Sequence, residues 1–427
     1  MDLAGTLVVV VFVITYAAIT SEKVNRTAMS LTGMAIVAII LRILTGTTFE
    51  EITHHIGWYT VLFVTGQMII VAVSRASGMF QYLALALARP TRGNPRRLFI
   101  TLIVFVFFIS LFFDTTSTMV IIGPLTIEVC KALGMDFKPL LISEAIVANY
   151  ASIPSVVGDV PNLVIAGVTR INPGFQFVAL MPLSFIFLAL SLPLMLRYAE
   201  RSLEGQDFAK AEELFRVNPA SLVRSRIEFY MSVVAMIVLI LAFTIGVAEG
   251  VEASLVSIGI AGVMLLVTRH DVDMVLRQVG WGTVFFIIGL FGIVAALEIT
   301  GVIADIAAWM STVVGTDKAL ATLFMFWIPG LVSSVVDNVP IAALLSPLAV
   351  EFAAMGPVIP LALVTGVNIG AFILPVGSPA NIIALALSET EGDPIGMVAF
   401  AKAATPIAIL MMLVGTGWLL MLSFVFG

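Results

Sequence analysis

The sequence predicts an all-α polytopic membrane protein built from two copies of one helical unit. Three observations predict it. Of the 427 residues 60% are hydrophobic and only 11% charged, against about 25% charged in a soluble domain. Apolar runs of about 18 to 25 residues recur along the chain, which is the length of spanning helices rather than of barrel strands. The chain also echoes itself. Ser110-Leu111-Phe112-Phe113-Asp114-Thr115-Thr116-Ser117 returns 223 residues later as Ser333-Ser334-Val335-Val336-Asp337-Asn338-Val339-Pro340. The same offset pairs Trp58 with Trp281, Gly66 with Gly289, Gly78 with Gly301, Pro124 with Pro347 and Glu128 with Glu351.

Taken in order, the predicted spans are about 3–20, 27–46, 58–88, 139–168, 176–198, 228–246, 252–268, 281–311, 360–388 and 397–425. The first lacks a basic n-region and has a counterpart near 228–244, so it reads as a span and not a cleaved signal peptide. Segments 98–130 and 320–352 are apolar but polar at the centre. Folded back at that centre, each becomes a re-entrant hairpin whose arms of about 15 residues reach roughly 22 Å, to mid-membrane.

Loop charge supports the count. Arg89, Arg92, Arg96 and Arg97, Lys131 and Lys138, the basic residues of loop 199–226, and Arg269 and Arg277 all fall on one side. That side is cytoplasmic by the positive-inside rule. Glu50, Glu51, Glu249 and Glu252 fall on the other. Each half then holds five crossings and one hairpin. Five is odd, so the halves enter the membrane upside down relative to each other. The domains are a first inverted repeat over 1–198, a charged cytoplasmic linker over 199–226 and a second repeat over 227–427. Inverted repeats are the architecture of secondary transporters.

Within the spans, two stretches are broken. Asn149-Tyr150-Ala151-Ser152-Ile153-Pro154-Ser155-Val156-Val157-Gly158-Asp159-Val160-Pro161-Asn162 is echoed at an offset of 219 by 368–381, which pairs Asn149 with Asn368, Gly158 with Gly377 and Asn162 with Asn381. Pro and Gly there free backbone groups, and unwound backbone at that depth survives only inside protein or beside a cavity. Ser155, Asp159 and Ser378 stand where they can cap the second half-helices. The predicted substrate and ion site is therefore Asp114, Thr115, Thr116, Ser117, Asn149, Ser152, Ser155, Gly158, Asn162, Asp337, Asn338, Asn368, Gly377, Ser378 and Asn381. An Asp in hydrocarbon costs at least about 2.5 kcal/mol, so Asp114 and Asp337 are the predicted proton-coupling residues, Asp114 first. Asp159 reads equally as a helix cap. Arg75 and Glu298 read as snorkelling to the interface.

Other chemistry is excluded. One cysteine, Cys130, rules out an intrachain disulfide framework. The histidines, His54, His55 and His270, read as loop residues with no metal-ligand spacing. No metal or cofactor is expected beyond a coupling proton or sodium ion. There is no basic stripe for nucleic acid. No Gly-x-x-x-x-Gly-Lys loop occurs, so any ATPase acting with this chain is a separate subunit. An intramembrane aspartyl protease needs Gly-x-Gly-Asp, whereas Asp159 follows Val-Val-Gly. A channel would not need stoichiometric coupling.

Phe113-Asp114-Thr115-Thr116, Val336-Asp337-Asn338-Val339-Pro340, Gly158-Asp159-Val160-Pro161-Asn162 and Gly377-Ser378-Pro379-Ala380-Asn381 resemble the hairpin tips and broken-helix loops of the ion transporter superfamily. That superfamily includes arsenite-efflux permeases, NhaD-type sodium/proton antiporters, the melanosomal P protein and dicarboxylate/sodium symporters. The stretch 148–162 is most similar to the arsenite-permease branch. Asp at both tips, where the dicarboxylate branch has Ser-Asn-Thr, argues against a carboxylate substrate. The resemblance implies a homodimer in the lipid bilayer, in the cytoplasmic membrane of a prokaryote. It further implies an elevator-type movement of the hairpin-bearing domain. The expected function is export of a small inorganic substrate, arsenite or antimonite, against protons; a sodium/proton antiporter is the alternative.

Overall fold

A computed structural model describes residues 2–20, 24–91, 94–203, 219–241, 253–268 and 271–426. Among these residues the chain forms α-helices and short 3-10 turns only. The first ten helices are α1 (Leu3–Thr20), α2 (Arg26–Leu44), α3 (Phe49–His54), α4 (Trp58–Ala76), α5 (Met79–Ala88), α6 (Pro95–Ser110), α7 (Thr115–Ala132), α8 (Lys138–Ala151), α9 (Val160–Thr169) and α10 (Pro173–Ala199). The next ten repeat this order. They are α11 (Arg226–Leu241), α12 (Ala253–Val267), α13 (Val272–Arg277), α14 (Trp281–Ile299), α15 (Val302–Val314), α16 (Lys318–Ser333), α17 (Asn338–Ala353), α18 (Val358–Gly370), α19 (Pro379–Thr390) and α20 (Met397–Phe426).

Five of these, α2, α4, α10, α14 and α20, are long and apolar enough to cross a membrane. With the composition they make the chain an integral membrane protein. The central part of the linker, 204–218, and the end of the span expected at 228–246 lie outside the described residues, as does His270.

Two expected spans are each two helices. The run 58–88 stops at Ser77 and restarts after Gly78, and 281–311 stops at Thr300 and restarts after Gly301. Both glycines have positive φ, 81° and 73°, a left-handed bend that costs a residue with a side chain roughly 1–2 kcal/mol. His54 closes the short helix α3, so it is not a loop residue.

The polar tips are turns flanked by capped helices. In the first hairpin Asn94 caps α6 by accepting from the Arg97 amide at 3.0 Å. After the turn, Asp114 caps α7 by accepting from the Ser117 amide at 2.9 Å. In the second, Asp317 caps α16 and Asp337 caps α17, the latter accepting from the Val339 amide at 2.9 Å. Each cap satisfies an amide that has no partner inside its own helix. The breaks 152–159 and 371–378 end the same way, with Asp159 capping α9 and Ser378 capping α19.

The two halves interlock. Helix α4 packs along α12 and α14 along α2; the second hairpin arms cross over too, α7 onto α19 and α17 onto α9. Small residues permit the close crossings. A Cβ on Gly66 would meet the Ser257 carbonyl carbon at 2.7 Å, and one on its repeat mate Gly289 would meet that of Ser30 at 2.7 Å. At one end of the hairpin domain Lys131 pairs with Glu391 and Lys138 with Asp393. The hydrogen bond that Lys138 donates to Asp393 raises the Lys138 ammonium above its ordinary range.

Candidate functional site

A cavity of about 220 Å³ lies where the first hairpin tip, the second hairpin tip and the start of α9 face helices α2, α4 and α14. Asp114, Thr116, Ser117, Asp159 and Asn338 line one wall, and Arg26, Arg75 and Phe286 line the other. The first wall is made of helix N-termini, where amides and capping carboxylates gather. The second wall supplies the cations.

Arg26 donates to Asp337 Oδ2 at 3.3 Å and lies 5.4 Å from the Phe286 ring centre. Asp337 itself faces a second cavity of about 230 Å³, which Arg26 also lines. The two tips are therefore unequal: Asp337 has a salt bridge to Arg26, and Asp114 looks into the shared cavity. Arg75 corrects an expectation. It is half-buried on the cavity wall rather than snorkelling, and its buried Nε has no hydrogen-bond partner. Its repeat mate Glu298 is exposed.

Asp159 is both a cap and a junction. Its Oδ1 accepts from the Val160 amide at 3.0 Å and the Thr115 hydroxyl at 3.1 Å. Its Oδ2 accepts from Asn338 Nδ2 at 3.3 Å. Asn338 Oδ1 is buried without a partner.

The four broken-helix asparagines do not line this cavity. They are fully buried and hold one another across the repeats. Asn149 donates to Asn381 Oδ1 at 3.2 Å, and Asn368 donates to Asn162 Oδ1 at 2.6 Å. Asn162 also donates to the freed carbonyls of Ser152 and Ser155, and Asn381 to those of Ala371 and Leu374. Ser152 donates to Asn368 Oδ1 at 3.2 Å. This knot satisfies backbone that unwinding would otherwise strand. Gly158 and Gly377 allow close approach: a Cβ on Gly158 would lie 2.7 Å from the Ser110 carbonyl oxygen, and one on Gly377 would lie 2.6 Å from that of Ala371. Ser155 faces a separate apolar cavity beside Phe112 and Phe113. Ser378 caps α19 through the Ala380 amide at 3.3 Å.

Helices broken beside a charged cavity, inside an integral membrane protein, are the layout in which membrane transporters build their sites. The sequence model of the CitMHS family, described as citrate transporter, matches residues 16–367. The chain belongs to that family, within the ion transporter superfamily. It is 29% identical to a 46 kDa membrane protein of Mycobacterium leprae, over 95% of this chain and 96% of that one. It is 25% identical to the P protein of Homo sapiens, over 96% of this chain and 59% of that one. Among solved structures it is similar to the YdaH transporter of Alcanivorax borkumensis, with TM-score 0.60 and 12% identity over 95% of this chain and 97% of that one.

Arg26 and Arg75 are the site residues that sequence reasoning missed. Arg26 sits one residue before a predicted span and resembles any flanking charge. Arg75 carried a signal, since an ionisable residue in the second half of a long span is a functional candidate by default.

Proposed function

We propose that the chain is a secondary active transporter that exports a small uncharged oxyacid, of the arsenite and antimonite class, in exchange for protons. One observation carries the reading. Arg75 and Asn338 line the same cavity, and each holds a buried polar atom without a partner, the donor Nε of Arg75 and the acceptor Oδ1 of Asn338, which a turn of the side chain would bring to the cavity. A solute that brings both an acceptor oxygen and a donor hydroxyl satisfies both, and leaving either unmet costs about 1–3 kcal/mol. An uncharged oxyacid with several hydroxyls meets that demand without burying a charge.

Charge balance supports the same reading. Two guanidiniums, Arg26 and Arg75, stand against three carboxylates, Asp114, Asp159 and Asp337. One bound proton neutralises the set, which suits a neutral solute coupled to a proton and gives a polyanion no net positive field. In this reading Asp114 and Asp337 carry coupling, with Asp114 the freer of the two. The repeats enter the membrane with opposite orientation, and the hairpins and broken helices move against α2, α4 and α14 as an elevator. The excess carboxylate also favours a second reading, in which sodium takes the proton's place as a sodium/proton antiporter would require.

Proteoliposomes loaded with a pH-sensitive dye test this. Arsenite or antimonite is expected to dissipate an imposed pH gradient, with sodium and citrate inert. Dissipation by sodium without oxyacid selects the second reading, and dissipation by citrate alone overturns both. Asp114→Asn is expected to abolish proton flux in a folded protein.

A further inference from the structure

Thr115 and Asn338 are repeat mates, 223 residues apart, and each is the first helical residue behind a hairpin tip. Both hydrogen-bond one carboxylate, that of Asp159, which is only 4% exposed. The repeat does not require this. Ser378, the mate of Asp159, caps its helix with one hydroxyl oxygen and has no bond to either tip. A cap needs one acceptor. The second carboxylate oxygen is what reaches the other half of the chain.

We propose that Asp159 is a positioning residue that ties the two hairpin tips into one unit around the solute, and that the coupled proton passes through this tie. The partners suit that role. A Thr hydroxyl and an Asn amide each offer both a donor and an acceptor. While Asp159 is ionised, both donate to it. When an aqueous proton binds Oδ2, the new O–H can donate to Asn338 Oδ1, which has no partner now, once that amide turns. The tie therefore survives protonation with its polarity reversed. The other two carboxylates are differently placed. All three accept from a backbone amide, but among the described residues no side-chain hydroxyl or amide donates to Asp114 or Asp337, and Asp337 is paired with Arg26.

The charged groups around Asp159 are few. Asp114 and Asp337 face it from the tips, and Arg75 on α4 and Arg26 on α2 face it across the cavity. Helix α18, which packs on α9, has no titratable residue. On α8, Glu144 is turned away to Thr126.

This inference rests on the transport reading for its proton, but the tie is measured without transport. Hydrogen exchange by mass spectrometry on the full chain in lipid nanodiscs compares wild type with Asp159→Ser, which keeps a capping hydroxyl. The first-turn amides of α7 and of α17 are expected to exchange about tenfold faster or more, while α9 keeps its protection. Faster exchange confined to α9, or to one tip, overturns the tie. Proteoliposomes then compare Asp159→Asn with wild type, using whichever solute the wild type carries, oxyacid or sodium. The ratio of pH-driven net flux to solute-for-solute exchange is expected to fall about tenfold or more. Equal loss of both, or retention of both, overturns the coupling role. A wild type that carries neither solute overturns the transport reading and, with it, the proton's passage through Asp159; the tie then stands or falls on hydrogen exchange alone.

Discussion

Arg75 and Arg26 reach the same cavity but are held differently, and their variants should separate. Arg75 makes no ion pair with Asp114 within 4.0 Å and leaves Nε free, so Arg75→Gln removes little from the fold. Its expected effect is on solute: an apparent KM raised about tenfold, the loss of one charged hydrogen bond, with an unchanged melting temperature. Uptake titrations and a thermal melt in the same detergent check both halves of that statement. Arg26→Gln strips Asp337 of the cation it pairs with. The side chains are 38% and 18% exposed, so the cost is moderate, about 1–3 kcal/mol. Adding Asp337→Asn should restore most of it, a coupling that a double-mutant cycle on melting curves reads directly. The carboxylates were legible in the sequence because a charge in an apolar run is conspicuous. The arginines were not, because Arg26 meets its partner 311 residues away and nothing near it in the chain signals the meeting.

The broken helices depend on backbones in near contact. A methyl at Gly158 would press on the carbonyl oxygens of Ser110 and Ser152, at 2.7 and 2.8 Å. Both are main-chain atoms that cannot swing aside. Gly158→Ala and Gly377→Ala should each destabilise by about 1–3 kcal/mol as overpacking, and should displace the adjoining tip. Melting curves give the first quantity, and protease susceptibility of the tips the second. Much at this scale was readable from sequence. Asp, Asn and Ser before a Pro or Thr mark helix starts, and the polar centres at 110–117 and 333–340 mark the turns. The bends at Gly78 and Gly301 were not, since hydrophobicity runs on across both and a lone Gly inside an apolar run is a weak stop signal. Nor was the pairing of the four asparagines. Their symmetric spacing is visible in the chain, but that Asn149 meets Asn381 and Asn162 meets Asn368 is decided by packing between halves.

At the scale of the whole molecule, each half completes the other. Helix α4 has its main neighbour in α12, α14 has its own in α2, and each second hairpin arm rests on the opposite broken helix. Residues 1–203 expressed alone should therefore aggregate or be degraded, because the apolar faces of α4 and α7 would lack their covers. The same residues co-expressed with 219–427 should assemble into a complex of native size. Fluorescence-detected size-exclusion chromatography distinguishes the two outcomes, and a stable lone half would contradict the interlock.

Such a chain is, energetically, a two-fold pair on a leash. A true pair of identical subunits must place the same residue at both equivalent positions, so whatever one tip gains the other gains as well. A tandem is released from that obligation. Here the release has been used: where the first half has Asp159 the second has Ser378, where it has Arg75 the second has Glu298, and where it has Arg26 at the start of α2 the second has Ala253 at the start of α12. The scaffold has kept its symmetry and the electrostatics have given it up. Of the charged cavity residues, the first half supplies Arg26, Arg75, Asp114 and Asp159, and the second supplies Asp337 alone.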